Sequence, residues 1–286
     1  MPTRESSKIS NTVSKSPSPG KVLAVVNQKG GVGKTTTAIN LAASLALAGH
    51  SILLIDCDPQ ANTTGGLGVR RQKDSEDQRL SVYDVLLGPT TLLEAMLPTD
   101  IATLWLVPGS KNLIGANIEL VQVERREFRL RDALEAIRGD YTFILLDCPP
   151  ALDLLTLNAL TAADGLLVPL QAEYFALEGI SELISTLDKV AQAFNPGLGL
   201  EGVLLTMYDD RTNLAQQVTQ NLQAFFGEKM FKTTIPRNIK LAEAPSHGLP
   251  VALYEPRSRG AEAYKELAHE ILTRNHFKVP KEKATS

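Results

Sequence analysis

The sequence predicts an α/β fold, a largely parallel twisted sheet with helices on both faces, and three observations predict it. Short, wholly apolar runs such as Leu53-Leu54-Ile55 suit strands buried on both sides, where a half-exposed strand would alternate. Those runs take turns along the chain with stretches of helical periodicity. The first run meets the first helix through Gln28-Lys29-Gly30-Gly31-Val32-Gly33-Lys34-Thr35-Thr36, a glycine-rich turn of the kind that holds phosphate.

Residues 1–19 are rich in Ser, Pro, Lys and Thr and nearly free of apolar side chains. Burial cannot offset their ordering entropy, so a disordered polar tail is expected. Residues 21–27 form the first strand, 34–48 the first helix, and Gly49-His50 turns the chain into a second strand at 51–57. Residues 61–66 read as a mobile loop and 72–78 as a charged surface excursion. Short helices follow at 82–87 and 91–97, around Gly88-Pro89, and then a third strand at 101–107. Residues 116–137 form a charged amphipathic helical region broken near Val123.

Further strands are expected at 141–147 and 164–169. Leu177, Ile180, Ile184, Leu187, Ala191 and Phe194 keep the three-or-four spacing of one buried helix face. Another strand spans 202–207, and Arg211-Thr212-Asn213 opens a helix reaching about Phe226. Segments 231–235 and 236–243 cross the far edge of the sheet, 261–272 is the last helix, and 276–286 is a short polar tail. A doubly wound sheet can use this much of a 286-residue chain as one domain, expected over 20–275.

A hydrophobic content of 43% with 21% charged residues is that of an ordinary soluble globular protein. The formal net charge of −3 offers no global attraction to nucleic acid, so any such binding needs a local patch. Cys57 and Cys148 each adjoin an aspartate at an apolar strand end, which suits reduced cytoplasmic thiols. His50, His247, His269 and His276 lack metal-ligand spacing. No apolar run approaches the roughly 20 residues that span a bilayer, and the N-terminus has no signal-peptide apolar core.

The glycines let successive backbone N–H groups turn inward around phosphate oxygens at a helix N-terminus. Lys34 supplies a positive charge for the terminal phosphates, and the Thr35 hydroxyl suits a magnesium ligand. The general pattern G-x-x-x-x-G-K-[ST] is broken at its first position by Gln28, and a second lysine, Lys29, precedes Lys34 by five residues. Asp56-Cys57-Asp58-Pro59-Gln60 sets two carboxylates at a strand end, where α/β sheets hold ligands. The strand at 141–147 closes on Asp147, a Walker B arrangement offering a carboxylate to magnesium or its water shell.

K-G-G-V-G-K-T-T from Lys29 resembles the deviant Walker A motif of the ParA/MinD ATPases. Five further strings resemble the chromosomal Soj-like branch: DCDPQANTTGGLG from Asp56, FILLDCPP from Phe143, EYFALEGI from Glu173, LLTMYDDRTNL from Leu204 and IPRNIKLAEAPSHG from Ile235. Together they cover about residues 21–272, and Gln28 is itself usual in that branch. The resemblance implies a Rossmann-like P-loop NTPase that uses ATP and Mg2+; with no obvious arginine finger in the sequence, hydrolysis is expected to be slow alone. It implies that Lys29 acts catalytically by crossing a dimer interface to the partner's phosphates. Gly30, Gly31, Val32, Gly33, Lys34, Thr35 and Thr36 then surround the phosphates of their own site.

By the same resemblance Asp58 positions or activates the attacking water. Thr35, Asp58 and Asp147 hold magnesium directly or through water, and Met207, Pro236 and Asn238 surround adenine. Arg211 and Lys240 match DNA-contacting positions, with Arg237 and Lys232 extending the patch. Lysine stands at 240 where relatives often carry arginine, which loses a bidentate fork and keeps a phosphate-binding charge. The implied partners are a second copy, a ParB-type centromere-binding protein and duplex DNA of any sequence. The implied place is the nucleoid in the cytoplasm, the implied task chromosome or plasmid segregation.

A MinD-like membrane-associated positioning ATPase is the alternative. It requires a C-terminal amphipathic helix, for which His276-Phe277-Lys278-Val279-Pro280-Lys281 has too few apolar residues and a proline. An iron–sulfur reductase subunit would need cluster cysteines at a dimer interface, whereas Cys57 and Cys148 adjoin the carboxylates.

Overall fold

The computed structural model describes residues 20–69, 79–173 and 176–279. The expected tail at 1–19, the excursion at 72–78, Tyr174 and Phe175, and the end of the polar tail from 280 lie outside the described residues.

Lys21–Val25 (β1) leads through the glycine turn to Lys34–Leu47 (α1). Ile52–Asp56 (β2) is buried at every position, and Asn62–Gly66 (α2) follows it. Val82–Leu87 (α3) and Leu92–Ala95 (α4) precede Leu97–Pro98 (β3) and Leu104–Val107 (β4). Leu113–Glu119 (α5) and Arg129–Glu135 (α6) flank a break where Val123 turns extended, as the sequence leads one to expect. Phe143–Asp147 (β5), Leu154–Ala162 (α7), Gly165–Leu170 (β6) and Ala176–Ala193 (α8) come next. Gly199–Leu205 (β7), Asn213–Phe226 (α9), Ile239–Glu243 (α10), Val251–Tyr254 (α11) and Arg259–Arg274 (α12) complete the described elements.

The strands form one sheet in the order β3-β4-β2-β5-β1-β6-β7, parallel except for the edge pair β3 and β4. Alternation along each strand divides the core in two. Leu53 and Ile55 of β2 face one cluster with Ile144, Leu155 and Ile180, while Ile52 and Leu54 face the other with Leu41, Tyr264 and Leu267. Each fully buried leucine contributes about 1.5–3 kcal/mol, so both faces must be covered by helices. The parallel sheet with helices on both faces is therefore as the apolar runs foretell.

Three segments differ from expectation, and a fourth, 231–243, crosses the sheet edge as expected. Residues 61–66 are not an open loop: α2 enters through Ala61 at φ 54 and has Thr63 and Thr64 buried. Helix α7 has no counterpart in the sequence reading because seven of its nine residues are buried, leaving no polar face to give it a period. The helix expected at 91–97 closes at Ala95 behind a Thr91–Glu94 capping box, and Leu97 and Pro98 pair with Leu106 and Trp105 instead. Residues 231–235 run beside β7, Phe231 N–H donating to the Val203 carbonyl (3.0 Å) and Ile235 N–H to that of Leu205 (2.8 Å). Asn238 then caps α10, so 236–243 turns helical at the sheet edge.

Candidate functional site

The topology brings the carboxyl ends of β1, β2 and β5 together, with Val25 beside Asp147 and Asp56 beside Asp147 in register. The glycine turn after β1 thus lies against both carboxylate-bearing strand ends. Gly31 (φ 75) and Gly33 (φ 89) take left-handed backbone, and Gly33 caps α1. A Cβ on Gly31 would meet no atom within 4 Å, so backbone conformation, not crowding, requires glycine there.

The turn is tied down from behind. Thr206 Oγ1 donates to the Val32 carbonyl (2.8 Å) and Gln171 Nε2 to that of Gly31 (3.1 Å). Asn27 donates to the Pro169 carbonyl (2.8 Å) and accepts from Lys29 N–H (2.9 Å). Lys34 is buried and donates to the Lys29 carbonyl at 3.1 Å. Burial lowers its pKa, opposed by the charges of Asp147 and Asp58. Such an ammonium lacks a full anionic partner in its own loop, as a phosphate-binding lysine should.

Asp147 accepts two hydroxyls on Oδ2, from Thr35 (2.9 Å) and Thr63 (2.7 Å). Its Oδ1 is buried with no hydrogen-bond partner. Asp56 accepts Thr64 N–H (2.8 Å) and the Thr64 hydroxyl (2.6 Å) on Oδ2, and Asp58 N–H (3.2 Å) on Oδ1. The Thr64 hydroxyl in turn accepts Gly109 N–H at 2.9 Å. Asp58 Oδ1 accepts Gln60 N–H (2.8 Å). Burial, and then the charge of Asp56, pushes Asp147 up to about 7, and burial pushes Asp56 to about 6. Both thiols are free and buried, and burial raises Cys57 and Cys148 far above the ordinary thiol range. Neither suits a nucleophile or a cluster ligand.

A buried carboxylate oxygen without a partner, a threonine hydroxyl beside it and a second carboxylate on the next strand end fit a hard cation such as magnesium. Among the described residues no three His, Cys, Asp or Glu side chains could hold a metal by themselves. Magnesium bound through one or two protein oxygens, with phosphate and water completing its shell, needs no such cage.

Met207, Pro236 and Asn238 line one cavity of about 380 Å3 with Gly33, Thr36 and Tyr264. Met207 sits at φ 49, a strained position for a side chain, beside the bridge between Tyr208 and Pro236. Lys29, about half exposed, forms an ion pair with the equally exposed Glu173. The lysine expected to reach another subunit is thus held by its own chain.

The expected DNA contacts divide. Arg211 is exposed and paired with Asp209 (2.8 and 2.5 Å), and Arg237 also acts on Asp209. Lys240 pairs with Glu243 at 2.8 Å over the Tyr254 ring. These three cations follow the carboxyl end of β7. Lys232 does not join them: it lines a cavity with Lys21, Glu201, Lys229 and Arg274, toward the start of β1 and the end of α12. Sequence reasoning missed Thr63, Thr206, Gln171 and Asn27, which have no motif spacing, and gave Asp56 no role although its pairing with Asp58 was visible.

The profile of a family described as an AAA domain matches residues 20–200. The chromosome partitioning protein ParA of Caulobacter vibrioides is 49% identical over 268 residues, 93% of this chain and 99% of that protein. The sporulation initiation inhibitor protein Soj of Bacillus subtilis is 50% identical over 252 residues, 88% of this chain and 98% of that one. A crystal structure of cobyrinic acid a,c-diamide synthase from Mycobacterium smegmatis, with bound ADP and magnesium, superposes with a TM-score of 0.76. Its identity is 36%, covering 92% of this chain and 99% of that one. The partition proteins share more sequence with this chain than the diamide synthase does, over a similar length. The chain belongs to the ParA/Soj family of chromosome-partitioning ATPases.

Proposed function

We propose that this chain is an ATP-driven dimer switch for DNA segregation, built on one ATPase domain over residues 20–275. The observation that carries the reading is the buried, unpartnered Oδ1 of Asp147 set against Thr35 and the glycine turn. ATP lies with adenine in the cavity of Met207, Pro236 and Asn238 and its phosphates against the backbone of residues 30–36, with Lys34 balancing their charge. Thr35 and Asp147, with Asp58 through water, hold magnesium, which when bound neutralises charge on the phosphate oxygens. Asp58 has one oxygen engaged by Gln60 N–H and orients the attacking water with the other.

Lys29 leaves Glu173 and crosses to the nucleotide of a second copy. An exposed ion pair is worth about 0–1 kcal/mol, so little opposes the exchange. The assembled dimer presents Arg211, Arg237 and Lys240 twice to duplex DNA. Contacts to phosphate alone explain binding without sequence preference. One small patch binds weakly, and linking two raises avidity through effective concentration. A ParB-type partner stimulates hydrolysis and so releases the protein from the nucleoid. The MinD-like alternative is weaker: Phe277, the aromatic residue of the C-terminal segment, packs on Phe143 (centroids 5.0 Å apart) instead of facing outward for lipid.

The test is Asp58→Ala. It should retain ATP and ATP-dependent DNA binding while partner-stimulated hydrolysis falls by about 10²–10⁴, the usual contribution of a positioned base. Normal turnover in this variant would remove Asp58 from the chemistry.

A further inference from the structure

We propose that Thr63 is a positioning residue for the metal-binding carboxylate, and that it couples occupancy of the metal site to helix α2. This rests on the reading of Asp147 as a magnesium ligand. Thr63 is wholly buried, and its hydroxyl donates to Asp147 Oδ2 at 2.7 Å, while Thr35 donates to the same oxygen at 2.9 Å. A carboxylate oxygen offers two lone pairs, so Oδ2 is saturated by the two hydroxyls. Oδ1, buried and without a hydrogen bond, is the oxygen left open for a cation.

Thr35 can keep its proton on Oδ2 and offer a hydroxyl lone pair to the metal. Thr63 then makes no contact with the ion and fixes which way the carboxylate faces. Without it Oδ2 is half satisfied and the carboxylate is free to turn, carrying Oδ1 away from Thr35. Partners of a metal ligand beyond the coordination sphere commonly cost 10–100-fold in metal affinity when removed.

Thr63 also lies in α2, whose next residue, Thr64, is bonded to Asp56 by both N–H and hydroxyl. Asp58 stands at the entry to this segment, its carbonyl accepting Ala61 N–H at 2.9 Å. A rigid chain of short bonds therefore runs from the metal carboxylate through α2 to the residue that orients water. A cation held at Oδ1 would stop the carboxylate from turning, and the Thr63 hydroxyl on Oδ2 would pass that restraint to α2.

The experiment uses the full chain with saturating ADP and Mn2+ as the probe, free Mn2+ being read by electron paramagnetic resonance. Thr63→Val should weaken Mn2+ binding by about 10–100-fold, and Thr63→Ser, which restores the hydroxyl, should return it close to wild type. ADP affinity in chelator should be unchanged in both variants. Backbone hydrogen exchange over residues 61–68 should slow on adding Mn2+ to the wild type and to Thr63→Ser, and not to Thr63→Val. Where Thr63→Val does not fold, Thr63→Ala carries the same comparison. Wild-type Mn2+ affinity in the hydroxyl-free variants would overturn the proposal, as would equal loss of ADP binding with and without metal, which marks a structural role. A wild-type protein that binds ADP but no Mn2+ would instead refute the underlying assignment of Asp147.

Discussion

Two ends of one site are built in opposite ways. Asp56 and Asp147 are wholly buried, and three of their four carboxylate oxygens are held by Thr35, Thr63, Thr64 and Asp58 at 2.6–3.2 Å, Asp147 Oδ1 alone standing open. Lys29, Arg211 and Lys240 stand toward solvent and spend their charge on Glu173, Asp209 and Glu243. Apart from Asp147 Oδ1, which is left open for a cation, the carboxylate end is satisfied inside one chain, because each further unpaired group buried there would add its own desolvation cost. The cationic end has only weak, exchangeable partners, because exposed pairs cost little to break. A switch needs both properties: a fixed floor that senses the ligand and a rim free to change partners.

The largest effect that could break this contrast lies at the floor. Asp147→Asn should lower magnesium-dependent hydrolysis by about 10²–10³, the scale of losing one preorganised charge-stabilising group. It should also alter stability in a signed way. An ordinary aspartate titrates near 3.9, whereas burial raises Asp147 to about 7 and Asp56 to about 6. Between about pH 4 and 7 the folded state keeps protons that the unfolded chain has released. Stability of the metal-free protein therefore falls as pH rises through that window and levels off above it. Thermal unfolding in chelator at pH 5 and pH 8 should show a higher Tm at pH 5 for wild type and a smaller difference for Asp147→Asn. Equal slopes would mean that the carboxylate end carries no strained charge.

The rim should respond more gently. Arg211→Ala or Lys240→Ala should weaken DNA binding for all sequences alike and lower the salt slope by about 1 for each phosphate no longer neutralised. Lys232→Ala, placed with Lys21 and Arg274, should leave both unchanged. A drop for Lys232 equal to that for Arg211 would redraw the patch. The smallest effect is expected from Glu173→Gln, which frees Lys29: ATP-dependent dimerisation should strengthen by no more than about 5-fold, given the about 0–1 kcal/mol worth of an exposed pair. Analytical ultracentrifugation at several concentrations reads it. Weaker dimerisation would assign Glu173 to the interface itself.

The sequence was most legible where function constrains the backbone. Gly31 and Gly33 had to be glycines to turn left-handed, and Asp147 had to close an apolar strand, so the phosphate turn and its carboxylate could be read directly. Legibility failed where burial removed the pattern. Helix α7 has no polar face, and Thr63 looks like any loop threonine until α2 is folded against β5. The small and polar residues of 61–66 suggested mobility, yet hydrogen bonds from Thr63 and Thr64 to two buried carboxylates hold that segment helical. Lys232 misled for another reason. Proximity in sequence to Arg237 is not proximity in space when the chain between them runs along the edge of β7.

The central claim is that one lysine of the rim changes partner when ATP binds. It is tested most directly by measuring binding to random-sequence duplex DNA, with Mg2+ and either ATP or ADP, for wild type and Lys29→Ala. Wild type with ATP should bind tightly and in a salt-sensitive way. Binding should be weaker by about 10²–10⁴ with ADP or without Lys29, the range that bivalent engagement adds. Lys29→Ala binding DNA as tightly as wild type in ATP would contradict the claim.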